Sequence, residues 1–98
     1  MSQAEPVTVR ILEREYRVMC TPSERRALME SALFLDGQMR EIRDSGRVSS
    51  MDKIAVMCAL NLSEELLRLR QDLKQREEKI DLRISELATE LDQVIGTQ

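Results

Sequence analysis

Between Ser50 and Gly96 the chain contains neither proline nor glycine. These residues punctuate helices, so nothing interrupts about 46 residues once a helix starts at Ser49-Ser50, where Ser49 and Asp52 have capping-box spacing. At 1.5 Å rise per residue such a helix is a rod of roughly 70 Å. A rod that long cannot lie along a head of about 60 residues and is expected to project from it.

The rod carries two kinds of surface. Ile54 to Leu62 reads IAVMCALNL, apolar around nearly the whole circumference. A helix apolar on all sides is buried on all sides. One hairpin and one short helix cannot supply that cover, so a partner subunit is expected over Ile54, Met57 and Asn61. Asn61, the lone polar group there, is either a hydrogen-bonded core residue or a pair that sets register across an oligomer axis. Farther on, Leu62, Leu66, Leu69 and Leu73, then Ile80, Ile84, Leu87, Leu91 and Val94, recur at alternating steps of three and four. That spacing is a coiled-coil seam. Arg76 falls on the seam between the two runs, where the steps become 3, 4, 4, 3, a stutter that locally unwinds the supercoil. No other segment is left to cover these leucines, so the chain is expected to self-associate.

The head is read from residues 1–61 and the coiled coil from 62–98. Residues 1–6 read as a frayed terminus. Val7 to Cys20, VTVRILEREYRVMC, alternates with period two and is rich in β-branched residues, which marks a β-hairpin. A turn at Glu13-Arg14 sets Val7, Val9 and Ile11 opposite Cys20, Val18 and Tyr16 on one face and opposes Arg10 to Arg17 on the other. The absent glycine counts against a tight turn, and two arginines side by side should repel. Over 22–45, Thr21 and Glu24 form a capping box, Pro22 suits the first turn, and Leu28, Ala32, Leu35, Met39 and Ile42 line one stripe. Gly46 is the stop. The expected fold class is α+β: a small head of hairpin and short helix, followed by a long C-terminal coiled-coil helix.

Composition narrows the function. Histidine is absent, which removes the commonest metal ligand and the commonest general base at neutral pH. Cys20 and Cys58 make no disulfide framework, and the carboxylates are dispersed among basic residues, so neither a catalytic site nor a cofactor is expected. Residues 1–61 carry nine basic and nine acidic groups and residues 62–98 six and nine, with no basic block to hold a nucleic-acid backbone. No apolar run approaches the ~20 residues of a membrane span, and MSQAEPVTVR has no secretory pattern, so a soluble cytoplasmic chain is expected.

VRILEREYRVMC followed by TPSER, then MREIRDSGRV, then MDKIAVMCALNLSEEL, closely resembles the ZapA family of bacterial cell-division proteins, in order from about residue 7 to 70. The resemblance implies a non-enzymatic protein, without a cofactor, that dimerises through its heads. Pairs of dimers then join through the coiled coil, and the assembly cross-links filaments of the tubulin-like GTPase FtsZ at the mid-cell division site. Family hairpins usually carry Gly-Arg at the tip; here Glu13 replaces the glycine and Arg14 remains. The resemblance carries filament binding onto Arg14, Arg47 and Asp52, and the hairpin register adds Arg17. Two rival classes are a ribbon-type DNA-binding dimer, which the net charge and the lysine-free hairpin oppose, and a prefoldin-like chaperone, whose hairpin lies between two long helices.

Overall fold

A computed structural model describes residues 3–96. The chain runs through strand β1 (Glu5–Ile11), strand β2 (Arg14–Cys20), helix α1 (Arg25–Asp44) and helix α2 (Met51–Gly96). This is the expected α+β order, a hairpin and short helix followed by one long helix. By internal contacts the chain divides into two units between Leu60 and Asn61.

In the first unit the strands form a two-stranded antiparallel sheet. Val7 pairs with Val18, Val9 with Tyr16, and Ile11 with Arg14. The register therefore differs by two residues from the one the sequence suggests, and the turn is Leu12-Glu13 rather than Glu13-Arg14. A slip of two keeps every side chain on its expected face, because side chains alternate with period two. It does change the neighbours. Arg10 lies opposite Glu15 and Arg17 opposite Thr8, so the expected arginine-arginine repulsion is replaced by an opposite-charge pair. Strand β1 also begins earlier than read, taking in Glu5 and Pro6; a ribbon of two strands is all edge, where proline is tolerated.

The turn has the type I′ pattern without a glycine. Leu12 and Glu13 have φ of 49° and 64°, the left-handed region at both central positions. For residues with a Cβ each such position costs on the order of 1 kcal/mol or more and persists only where the surroundings hold it. They do so here. The Leu12 side chain is buried, and its amide donates to Asp36 Oδ1 of α1 at 2.8 Å.

A short 3-10 turn, Pro22–Glu24, precedes α1, so the regular helix starts three residues later than the sequence implied. Glu24 Oε1 accepts from the amide of Thr21 at 2.9 Å and its hydroxyl at 2.7 Å. At the far end Gly46 takes φ of 74° and donates to the Arg43 carbonyl, the left-handed stop expected of it. Helix α2 is capped by Ser50, whose hydroxyl accepts from the Lys53 amide at 3.2 Å, one residue later than the Ser49 cap read from the sequence.

The buried apolar residues are Val9 and Cys20 of the hairpin, Leu12 of the turn, Met39 of α1, and Ile54 and Cys58 of α2. A lone hairpin is marginal in water, and this one is stabilised by packing its inner face on α1. Ile54 and Cys58, one helical turn apart, are only 2% and 1% exposed, so one face of the early α2 completes the core. Its other faces are open: Val56, Met57 and Leu60 are exposed. Burial all round, as expected of IAVMCALNL, is not met within one chain.

The second unit begins at Asn61, and its described residues, to Gly96, are helix alone. Its ion pairs are local, Arg68 with Glu64 and Arg83 with Glu86, and Thr89 donates back to the Ser85 carbonyl. Leu62 is half-buried, and the seam leucines and isoleucines from Leu66 onward are exposed.

Candidate functional site

The hairpin tip is pinned to α1 by a four-residue charge network. Glu13 Oε1 accepts from Arg40 Nη1 at 3.0 Å and Glu13 Oε2 from Arg43 Nη1 at 3.1 Å. Arg40 Nε donates in turn to Asp36 Oδ2 at 2.8 Å, while Asp36 Oδ1 holds the Leu12 amide. Asp36, Arg40 and Arg43 are spaced by four and three, so one face of α1 presents all three towards the tip. The electrostatics follow the geometry. Hydrogen bonding from Arg40 holds the Glu13 carboxyl below its ordinary value, with Arg43 adding to the effect. Asp36 is lowered by Arg40 first and by the Leu12 amide second. Arg40 is raised by Asp36 and then by Glu13.

The cations singled out by the sequence stand apart from this network. Arg14, Arg17 and Arg47 are exposed, and their side chains have no hydrogen bond or ion pair among the described residues. Asp52 is exposed in the first turn of α2, where an acidic group suits the helix dipole. Arg14 and Arg17 are three positions apart on one strand, so they leave by opposite faces of the ribbon and form no single patch. Arg17 shares the outer face with Arg10; Arg14 closes the inner face opposite Ile11. Sequence reasoning missed Leu12 and the Glu13 contacts altogether. The one available signal was α1 itself, whose Asp36, Arg40 and Arg43 share a face.

A second surface is apolar. Between the inner face of the hairpin, α1 and the start of α2 lies an open groove of about 400 Å³, lined by Val9, Ile11, Tyr16, Leu35, Met51, Ala55 and their neighbours. Tyr16 is 41% exposed there, so the hairpin's inner face is only partly covered by its own chain. Met57, Asn61, Leu66, Leu69, Leu73, Ile80, Ile84, Leu87, Leu91 and Val94, the residues read as oligomer contacts, are all exposed. Ile54 is the exception. It belongs to the core of the first unit and presents no surface to a partner. Burial also pushes the Cys58 thiol up, away from the reactive thiolate form.

No helix among the described residues is long and apolar enough to cross a membrane. A family profile described as cell division protein ZapA matches residues 7–91. A protein from Pseudomonas aeruginosa PAO1 named "Cell division protein ZapA" is 42% identical over 96 residues, covering 98% of this chain and 92% of that one. A solved structure described as an unknown conserved bacterial protein from the same strain aligns with a TM-score of 0.74 at 42% identity, over 91% of this chain and 98% of that one. The family match takes in the hairpin from Val7, its charged tip, α1 and all but the end of α2, and the chain belongs to the ZapA family of cell division proteins.

Proposed function

We propose that this protein is a non-enzymatic cross-linker of FtsZ filaments, acting in the cytoplasm at the division site. In this reading residues 1–61 dock the filament and residues 62–98 act as the spacer. The observation that carries it, beside family membership, is the division among the head arginines. Arg40 and Arg43 are engaged within the fold, whereas Arg14, Arg17 and Arg47 are exposed and have no side-chain partner among the described residues. Cations left without a partner in the folded head are available to an acidic filament surface. Because Arg14 and Arg17 leave by opposite faces, the filament meets the edge and tip of the ribbon rather than one flat side. Arg47, and Asp52 for a basic group of the filament, extend the contact.

Cross-linking requires at least two heads. The open groove and the uncovered Val56, Met57 and Leu60 support a homodimer formed by the heads and the early α2. The exposed seam from Leu66 to Val94 supports pairing of dimers. Each docking contact can then be weak, since a second head on the same spacer binds at a raised effective concentration.

Co-sedimentation with GTP-assembled FtsZ tests the reading. The wild type should pellet with filaments and bundle them, and the effect should fade with added salt, because exposed contacts are screened beyond roughly 8–10 Å at physiological ionic strength. The double change Arg14→Glu, Arg17→Glu should abolish bundling while shifting stability by less than about 0.5 kcal/mol, as is usual for exposed charges. A folded double mutant that bundles like the wild type would place docking elsewhere.

A further inference from the structure

The turn Leu12-Glu13 joins two features that the docking reading leaves separate. Its two residues occupy left-handed backbone positions that glycine would fill without strain, yet neither is glycine. The conformation is held from outside by three contacts to α1: Leu12 amide to Asp36 at 2.8 Å, Glu13 to Arg40 at 3.0 Å, and Glu13 to Arg43 at 3.1 Å. The next residue in the chain is Arg14, exposed and unpaired, which pairs with Ile11 to close the hairpin. A pinned turn therefore sits one residue from the tip cation.

We infer that Glu13, Asp36, Arg40 and Arg43 are positioning residues, which clamp the tip of the hairpin to α1 so that Arg14 meets an acidic filament surface in a preset direction. This rests on the docking reading above and adds to it a second set of residues that never touch the filament. Glycine at position 13 would leave a looser tip, and the backbone beside Arg14 would then have to be ordered on binding. Holding it in advance removes that cost from the binding step. It also assigns Arg40 and Arg43 a role inside the protein, so that their charges are not counted among the docking groups.

A double-mutant cycle on Glu13 and Arg14 tests this with the full chain and GTP-assembled FtsZ at about 0.1 M salt, where charge contacts reach ~10 Å. Glu13→Gly removes the two arginine contacts of the clamp and supplies the residue a type I′ turn prefers, so the hairpin still folds. It should weaken binding about 3- to 10-fold, the scale of ordering one flexible group at an interface. In an Arg14→Ala background the same change should have little further effect, since the clamp acts through Arg14. Glu13→Gln, which keeps a side-chain acceptor without the charge, should fall between. Equal losses in both backgrounds would overturn the inference by making the clamp a general prop of the fold. Unchanged or tighter binding by Glu13→Gly would overturn it too, tighter binding meaning that Glu13 shields docking arginines. Amide exchange at Leu12 reads the clamp without the filament and should quicken in Glu13→Gly; unchanged protection would overturn the pinning whatever binding does. If Arg14→Ala alone binds like the wild type, it is the docking reading that fails, and the inference falls with it.

Discussion

The two units of this chain are held together by opposite means. In the first, the decisive polar contacts join residues far apart in sequence: Leu12 to Asp36, 24 positions away, and Glu13 to Arg40 and Arg43, 27 and 30 positions away. In the second, ion pairs join residues three or four apart on one helix, and the apolar seam is exposed from Leu66 onward. Pairs of the second kind contribute only a few tenths of a kcal/mol each. The first unit therefore carries its own tertiary structure, while the second has helix propensity and an exposed apolar stripe. A single polypeptide here combines a folded head with a helix whose apolar residues from Leu66 onward stay exposed.

The harshest way to break the comparison is to attack the seam. In the proposed assembly, Ile84→Glu with Leu87→Glu places four like charges on each pair of facing helices, where a coiled coil needs apolar contact. The expected outcome is complete loss of the larger assembly, from tetramer to dimer by sedimentation, with the strand signal of the head retained. A variant that still sediments as a tetramer would exclude this part of the seam as the contact. Leu12→Ala attacks the other unit. Removing most of a buried leucine side chain typically costs at least about 2 kcal/mol, and alanine at φ of 49° gains nothing in backbone ease. Thermal unfolding of the head should shift down by roughly 10 °C on the scale of small domains, with assembly size unchanged while the protein is folded. An unchanged melting temperature would mean that the buried tip does not hold the head together.

The same contrast explains what could be read from the chain. Helix α1, the Thr21-Glu24 capping box of the turn that leads into it and its Gly46 stop were legible because caps and stripes are set by residues within one or two turns of each other. The long α2 was legible for the same reason. The hairpin's faces were legible from period-two alternation, but its register was not. A short-range rule puts polar Glu13-Arg14 at the turn. The molecule instead puts an apolar Leu12 there, because α1 buries its side chain and Asp36 takes its amide. Glu13 tolerates a left-handed φ because two arginines of α1 meet its carboxylate. Nothing between Val7 and Cys20 announces those partners. The docking residues were only half legible: exposure of Arg14, Arg17 and Arg47 follows from pattern, whereas the separation of Arg14 and Arg17 onto opposite faces bears on docking only once the strands are placed.

The smallest expected effect, and the sharpest probe of the clamp, is in its acid response. Glu13 and Asp36 both have carboxyl pKa values lowered in the folded chain, chiefly by hydrogen bonds from Arg40. A lowered folded value means that the unfolded chain takes up protons first as pH falls. Their contribution to stability is therefore fully present above the ordinary carboxylate values, 4.5 for Glu13 and 3.8 for Asp36, and is lost as pH drops through the folded values. Glu24 behaves in the same sense through the Thr21 amide. The chain has no histidine, so no side chain of ordinary pKa titrates between about pH 5 and 8, and the buried Cys58 thiol is pushed farther from that window. Stability should accordingly be flat from pH 8 to about pH 5 and decline below. Glu13→Gln should melt slightly lower than the wild type by a constant margin across the flat range, small because the pair is exposed. Below pH 4.5 that margin should shrink towards zero as the wild-type carboxylate is protonated. A margin that persists undiminished into acid would show that the glutamate holds the turn by shape, and that its charge contributes nothing to the clamp.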